Sequence, residues 1–254
     1  AASDVYKRQA LSMGATAVVV EQQVKYVSVV GLGEQLAVVC YVADGDGDRG
    51  KCAALTVGSD GTIAHGDEYA FYTSSVYSSY YSGPVVTALD STRGVVCWRY
   101  SSYGDCKVLT VSSGEVVSYG AAIRFSSGSP TYLSLASLDN ASAVICFRAN
   151  LRGFCIVLRV SDTTLEIGGA VDVYSNTYIR GSLGVTAFSA RHALVCFAAY
   201  HSPWYGRCTP LSRESTSETT LTVGTSVTFA ASNTLDVSVA ALDTERAAVS
   251  YTHL

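Results

Sequence analysis

The sequence is poor in the residues that make helices, membrane segments and catalytic centres easy to read. It holds one methionine, two tryptophans and four prolines, and only 15% of its 254 residues are charged. Lysine occurs only at Lys7, Lys25, Lys51 and Lys107, with no basic run. Phosphate-backbone binding by counterion release therefore has no footprint, and nucleic acid is excluded as a partner. No run of eighteen apolar residues occurs, so no transmembrane helix and no membrane insertion is expected. The motifs G-x-S-x-G, H-E-x-x-H and the P-loop are missing. His65, His192 and His201 have no nucleophile with an orienting acid close by in sequence. Good helix formers are sparse apart from Ala and Leu, while Val, Tyr, Thr and Ser are abundant and no long window shows a 3.6-residue apolar period. The chain reads as all-β.

Two terminal segments stand apart. Residues 1–9, AASDVYKRQ, match the translation of a transposase-type sequencing adapter, and residues 249–254, VSYTHL, match the reverse complement of its end in another frame. Both are read as adapter-derived scars and set aside, along with His253. The native stretch is then 10–248, cut from a longer reading frame. Without Asp4, Lys7 and Arg8 the 17 basic and 21 acidic residues fall to 15 and 20, a net charge of −5.

What the chain does have is a repeat. Leu32, Leu89, Leu138, Phe188 and Leu242 each lie eight residues before Cys40, Cys97, Cys146, Cys196 and Ser250. Short apolar runs (LAVVCY, GVVCW, AVICF, ALVCF) carry the cysteines. Downstream, a glycine precedes an aromatic residue by five positions: Gly66/Phe71, Gly120/Phe125, Gly169/Tyr174 and Gly224/Phe229, with Gly14/Val19 a weaker copy. The cysteine period is 57, then 49, then 50 residues. Each unit divides into four strands, with turn chemistry such as Asp139-Asn140 after the first; Asp90 and Asp243 hold the same place and are read as Asx-type turn residues. The cysteine strand is apolar on both faces, as expected where sheets stack on each side. Units of this length with four strands define a β-propeller of antiparallel blades. Full blades are expected at 26–79, 80–130, 131–177 and 178–233, with half-blades at 10–25 and 234–248, in an incomplete or five-bladed ring.

These repeats, Leu-Asp then a polar turn, VVC-type strand, short loop, Gly-x-Cys, aliphatic strand and Gly, resemble tandem propeller repeats of uncharacterised bacterial and phage-like surface proteins, and more distantly FG-GAP and sialidase-like propellers. The resemblance implies architecture. The sialidase pattern Ser-x-Asp-x-Gly-x-x-Trp is absent and no arginine triad can be placed, so a glycosidase reading loses its main support.

The eight cysteines form four pairs within blades: Cys40/Cys52, Cys97/Cys106, Cys146/Cys155 and Cys196/Cys208. Setting Cys97 opposite Cys106 puts Trp98 across from Asp105 and Tyr100 across from Tyr103, with Ser101-Ser102 as a two-residue turn; Asn150-Leu151 is the equivalent turn for Cys146/Cys155. Directly opposed residues need only a small adjustment to bridge. Disulfides imply an extracytoplasmic compartment. The alternative is matched, reduced, buried thiols. Zinc is disfavoured by the spacings.

In a meander, the loops joining second to third strands and those joining one blade to the next leave on one face. This gathers Tyr72, Tyr77, Tyr80 and Tyr81 with Tyr100, Tyr103, His201, Trp204 and Tyr205 as candidate ligand-binding residues. Aromatic rings among small polar neighbours suit stacking on a glycan or protein surface; the alternative is that tyrosine simply covers blade edges. Asp44, Asp46 and Asp48 in DGDGDRG alternate as oxygen ligands do in a Ca2+ loop, although Gly50 falls one place late and Leu55 stands where an EF-hand has its glutamate. A solvated acidic turn is the other reading. The leading expectation is a non-enzymatic binding or adhesion module, extracellular or on a virion or cell surface. The alternatives are a carbohydrate-active hydrolase or lyase with a site assembled from several blades, and a structural spacer. Oligomeric state is not legible.

Overall fold

The computed structural model describes residues 18, 23–76, 83–175, 178–200 and 204–253. Every regular element among them is a strand, in five separate antiparallel sheets. The first holds β1 (Val24–Gly31), β2 (Leu36–Ala43), β3 (Arg49–Val57) and an outer strand in two pieces, β4 (Ile63–His65) and β5 (Tyr69–Ser75). The second holds β6 (Val85–Ala88), β7 (Arg93–Tyr100), β8 (Tyr103–Ser112), β9 (Glu115–Tyr119) and β10 (Ile123–Ser126). The third holds β11 (Thr131–Asp139), β12 (Ser142–Ala149), β13 (Arg152–Ser161), β14 (Thr164–Ile167) and β15 (Val171–Asp172). The fourth holds β16 (Ile179–Ser189), β17 (His192–Ala199), β18 (Tyr205–Ser212), β19 (Thr222–Val223) and β20 (Val227–Ala230). A fifth is the hairpin β21 (Thr234–Ala241) and β22 (Ala247–His253). Residues 249–253, set aside above, thus lie in β22, with Ser250 opposite Ser238 as Cys40 is opposite Ser28. The half-blade assigned to 10–25 falls almost wholly outside the described residues.

The sheets stack face to face in chain order, and the core is a series of interfaces between neighbours. Alternation along β7 shows how: Val96 and Trp98 pack against Val38, Cys40 and Val42 of the first sheet, while Val95 and Cys97 pack against Ile145 and Phe147 of the third. A strand buried on both faces reads as a continuous apolar run, which is why the cysteine strands stood out in the sequence. This is a β-propeller, its blades being the sheets. Between blades the inner strands share hydroxyl staples instead of a ladder. Val86 N donates to Ser28 Oγ (3.2 Å), Val185 N to Ser134 Oγ (3.0 Å) and Val237 N to Ser182 Oγ (2.6 Å).

The cysteines are paired as disulfides and not as matched, reduced thiols. Cys40 is bonded to Cys52, Cys97 to Cys106, Cys146 to Cys155 and Cys196 to Cys208, and no cysteine is free. Each bond bridges the second and third strands of one blade, with Cα atoms 4.0–4.1 Å apart. The members of each pair stand directly opposite one another in the ladder. The register around them is the expected one, Trp98 opposite Asp105 and Tyr100 opposite Tyr103. Ser101, Asn150 and Leu151 take positive φ in the two-residue turns, as primed hairpin turns require.

The outer strand departs from a single expected element: it is broken, and the recurring glycine marks the break. The amides of Gly66, Gly120, Gly168 and Gly224 bond back to the third strand. In three of them the next blade lies where a side chain would be. A Cβ on Gly66 would meet Gly114 O at 2.6 Å, on Gly120 Thr163 O at 1.8 Å, and on Gly168 Thr219 O at 2.1 Å. In the third blade the contact falls on Gly168, one place before the marker Gly169. The aromatic five positions on covers a glycine of the third strand, Phe71 over Gly50, Phe125 over Gly104 and Phe229 over Gly206. In the third blade Ile179 and Val173 cover Gly153 instead.

On the opposite face from the hairpins, Asp90, Asp139 and Asp243 form the expected Asx turns, each Oδ1 accepting a backbone N–H two residues on. Burial alone would raise the Asp90 carboxyl, but hydrogen bonds from Thr92 and Arg93 outweigh it and hold the group below its ordinary range. A folded-state pKa below the unfolded one adds stability above about pH 4 that is lost as pH falls through the folded value. Asp90→Asn should therefore lower the melting temperature at neutral pH, and the difference should shrink as pH falls through the folded value in melts taken across pH.

Candidate functional site

The interblade loops and the hairpins between second and third strands do share a face. The backbone ties them together: Val76 N donates to Asp48 O (2.8 Å), Ser129 N to Ser102 O (2.8 Å), Ile179 N to Leu151 O (2.7 Å) and Thr234 N to Trp204 O (3.2 Å). Each interblade loop is thereby clamped to the hairpin of the blade before it.

Two aromatic groups rise on this face. The first lies at the junction of the first and second blades. The rings of Tyr72 and Tyr100 are 4.9 Å apart, those of Tyr100 and Tyr103 are 5.7 Å apart, and Tyr72 rests against buried Trp98 at 5.6 Å. The Arg124 guanidinium lies 3.9 Å over Tyr103, pairs with Asp105 at 3.3 Å and reaches the Tyr100 hydroxyl. Burial and the nearby Asp105 push the Tyr100 hydroxyl above its ordinary range. This group is internally neutralised.

The second lies around the third and fourth blades and is more open. Leu151 (48% exposed), Tyr178 (54%) and Tyr200 (47%) surround a mainly apolar cavity of about 370 Å³, with Ile179 and Arg180. The Arg180 guanidinium is stacked 3.8 Å over the half-buried Trp204 ring. Trp204 is fixed in turn by its backbone N–H to Asn233 Oδ1 (3.2 Å). No carboxylate pairs with Arg180 among the described residues. Tyr205 is half-buried opposite Ala199 in the same hairpin.

Of the residues singled out from sequence, Tyr72, Tyr100 and Tyr103 come together, and Trp204 with Tyr205 falls in the second group. Tyr77, Tyr80, Tyr81 and His201 lie outside the described residues. Leu151, Tyr178, Arg180, Tyr200 and Arg124 were missed. Tyr178 sits just before an inner strand, the place in the repeat that the Tyr77–Tyr81 cluster holds two junctions earlier in the sequence, and that equivalence was the available signal. The disulfides take no part in either aromatic group. Cys52, Cys106 and Cys155 are buried between blades, and Cys208 is half-buried against the interface with the fifth sheet. Their role is to lock hairpins whose turns carry the face.

The acidic turn is occupied by cations. Lys25 pairs with Asp44 and lies 3.8 Å from Asp48, Arg49 is 3.4 Å and Lys51 3.0 Å from Asp46, and Lys51 also bonds Glu68 at 2.8 Å. The hydrogen bond from Lys51 lowers the Asp46 carboxyl, and the one Lys51 donates to Glu68 raises its own ammonium. Among the described residues no three acidic, histidine or cysteine side chains converge to hold a metal. As arranged, the turn does not fit Ca2+: the ion would have to displace all three basic side chains.

No protein-family model matches the chain, and no curated protein matches it in sequence. Its fold is similar to that of a mutant NanB sialidase from Streptococcus pneumoniae, with a TM-score of 0.56 at 12% identity over 80% of this chain and 32% of that one. It is also similar to a putative 6-phosphogluconolactonase from Bacteroides uniformis, with a TM-score of 0.55 at 11% identity over 83% of this chain and 60% of that one. The chain therefore spans about a third and three fifths of these proteins. At such identities the likeness is one of fold.

Proposed function

We propose that the protein is a non-enzymatic glycan-binding or adhesion module, and that its loop face, above all the cavity beside Trp204, is the recognition surface. The observation that carries this is the second aromatic group: three exposed apolar side chains around a cavity, with a guanidinium 3.8 Å over an indole ring beside it. Sites for sugars and small ligands combine apolar and aromatic walls with a few placed polar groups. The loops are clamped to the blades by backbone hydrogen bonds, so little ordering entropy opposes binding. Four disulfides suit an oxidising compartment, and hence a secreted protein or one on a cell or virion surface.

A glycan array, with hydrolysis assays on the same ligands, tests the reading. Binding without turnover is expected, and Trp204→Ala should weaken it roughly tenfold through lost stacking. Undiminished binding in both Trp204→Ala and Tyr178→Ala would remove this surface from consideration. Turnover would favour the hydrolase or lyase alternative.

A further inference from the structure

Where the outer strand of the fourth blade breaks, between β19 and β20, it faces the third blade across a polar cavity of about 310 Å³. The walls include Asp172, Tyr174 and Ser175 of the third blade and Arg207, Thr225 and Ser226 of the fourth. Arg207, Thr209 and Leu211 alternate along β18 on the side turned to the third blade. Leu211 packs into the core shared with Val157 and Val173, and Thr209 Oγ1 donates to Val173 O (3.3 Å). The Arg207 guanidinium lies 5.0 Å over the Tyr174 ring. This cavity shares no lining residue with the one beside Trp204.

Arg207 stands one residue before Cys208, and the same place in the other blades shows how such a charge is ordinarily answered. Lys51, before Cys52, bonds Glu68 at 2.8 Å and pairs with Asp46 at 3.0 Å. Asp105, before Cys106, pairs with Arg124 at 3.3 Å. Phe154, before Cys155, carries no charge. The Arg207 guanidinium has neither an ion pair nor a hydrogen bond among the described residues, and its Nε is buried without an acceptor. The repeat explains why: Glu68 lies two residues after Gly66, whereas Ser226 lies two after Gly224. Ser226 does not stand in for the acid. With the Thr209 proton given to Val173 O, Ser226 Oγ, 2.6 Å from Thr209 Oγ1, is the donor between those two hydroxyls. A buried donor left without an acceptor is costly and rare in folded proteins, and a bound ion is one of its standard causes.

Asp172 and Arg207 are the charged residues of the lining. Asp172 is already engaged: Oδ1 accepts from Tyr174 N (3.0 Å), and Oδ2 pairs with Arg152, which stands outside the lining. That pair is neutral, so the guanidinium leaves the cavity with one unanswered positive charge. Ser175 and Thr225 are exposed at its mouth, and their hydroxyls bond nothing among the described residues. A guanidinium whose N–H groups are unused offers a planar fork that the oxygens of a carboxylate, sulfate or phosphate accept in pairs. Neighbouring hydroxyls supply the further donors that such a group takes up.

We infer that this interblade cavity is an anion site, in which Arg207 takes the oxyanion group of a small ligand. Its volume lies at the lower end of the range for small-molecule sites, about 300–1,000 Å³, so the oxyanion has room to be one group of an organic molecule. The site is independent of the loop-face reading. It is tested by titrating the intact, oxidised protein with sodium sulfate, sodium phosphate and sodium acetate, against sodium chloride at equal ionic strength, while following backbone amide shifts. Saturable shifts at Gly224, Thr225 and Ser226 are expected with at least one of the three oxyanions and not with chloride, and the order of affinities tells a tetrahedral from a planar group. Arg207→Gln should weaken them roughly tenfold or more, and Arg207→Lys, which keeps the charge without the fork, should weaken them less. Ser226→Glu supplies the acid that the first blade has in Glu68 and should compete with the ion for Arg207, again weakening binding roughly tenfold. Arg246→Gln, which removes an arginine 77% exposed in the fifth sheet, should leave the shifts unchanged. Amide spectra of the variants report whether they are folded. Absence of saturable shifts with all three oxyanions would overturn the site, as would equal shifts with chloride. Undiminished binding in folded Arg207→Gln would overturn it too, and if that variant does not fold, undiminished binding in Ser226→Glu would do the same.

Discussion

Reduction is expected to unfold this protein under conditions where the oxidised form is stable. Each disulfide closes a short loop: Cys97–Cys106 and Cys146–Cys155 join cysteines 9 positions apart, and Cys40–Cys52 and Cys196–Cys208 join cysteines 12 apart. The chain-entropy model assigns such loops about 3 kcal/mol each. Four together approach the whole stability of a typical domain, about 5–15 kcal/mol. The bonds also sit in the second and third strands of every complete blade, so no blade keeps its constraint when reductant is present. Thermal melts with and without a phosphine reductant should differ by tens of degrees. A thiol titration in denaturant without reductant should find none of the eight cysteines free. Eight titratable thiols would make the cysteines matched apolar residues, and the oxidising compartment would go with them.

The second large effect is expected at Arg213. Its side chain is fully buried and holds four partners: Nε donates to Ala190 O (2.6 Å), Nη1 to Glu218 O (3.3 Å), and Nη2 to Asp139 Oδ2 (2.7 Å) and Ser142 Oγ (2.8 Å). Asp139 and Ser142 belong to the third blade, so this one guanidinium ties two blades together. Removing one partner of a buried pair leaves the other unpaired and typically costs about 3–5 kcal/mol. Asp139 is 22% exposed, and water will relieve part of that, so Arg213→Ala is placed near about 3 kcal/mol. Arg93 is the comparison. It bonds Asp90 Oδ2 within its blade and Asn140 O and Asp162 O of the next, but its side chain is 25% exposed. Arg93→Ala should cost about 1 kcal/mol. Denaturant titration of both variants checks the order, and an Arg213→Ala cost indistinguishable from that of Arg93→Ala would mean the buried network is not cooperative.

The blades were legible because their constraints recur. A strand squeezed between two sheets must be apolar on both sides, and a cysteine pair must sit at opposed positions, so Cys97 and Cys106 determine the register of Trp98 and Tyr100 before any coordinates are seen. The glycine column was visible too, but its cause was not: the carbonyl of Thr163 approaches Gly120 from another blade, 43 residues on. The broken outer strand follows from that approach and from no local propensity. The site was less legible because its residues occur once. Tyr178, Arg180 and Tyr200 come together through the pairing of β16 with β17 in one blade, Leu151 joins them only when the third blade stacks on the fourth, and nothing in the spacing of Arg180 and Trp204 announces that one caps the other. Arg213 and Asp139 are a similar case. Arg207 falls between these extremes: it shares a place in the repeat with Lys51 and Asp105, but which charge answers each of them is visible only in the fold.

The most direct test of the propeller itself is a set of through-space proton contacts in solution. Radial stacking predicts contacts from the Val86 amide to the Ser28 methylene, from Val185 to Ser134 and from Val237 to Ser182, with backbone ladders confined to strands of the same blade. Amide or α-proton ladders running from the outer strand of one copy to the inner strand of the next would describe a single continuous sheet, and would contradict it.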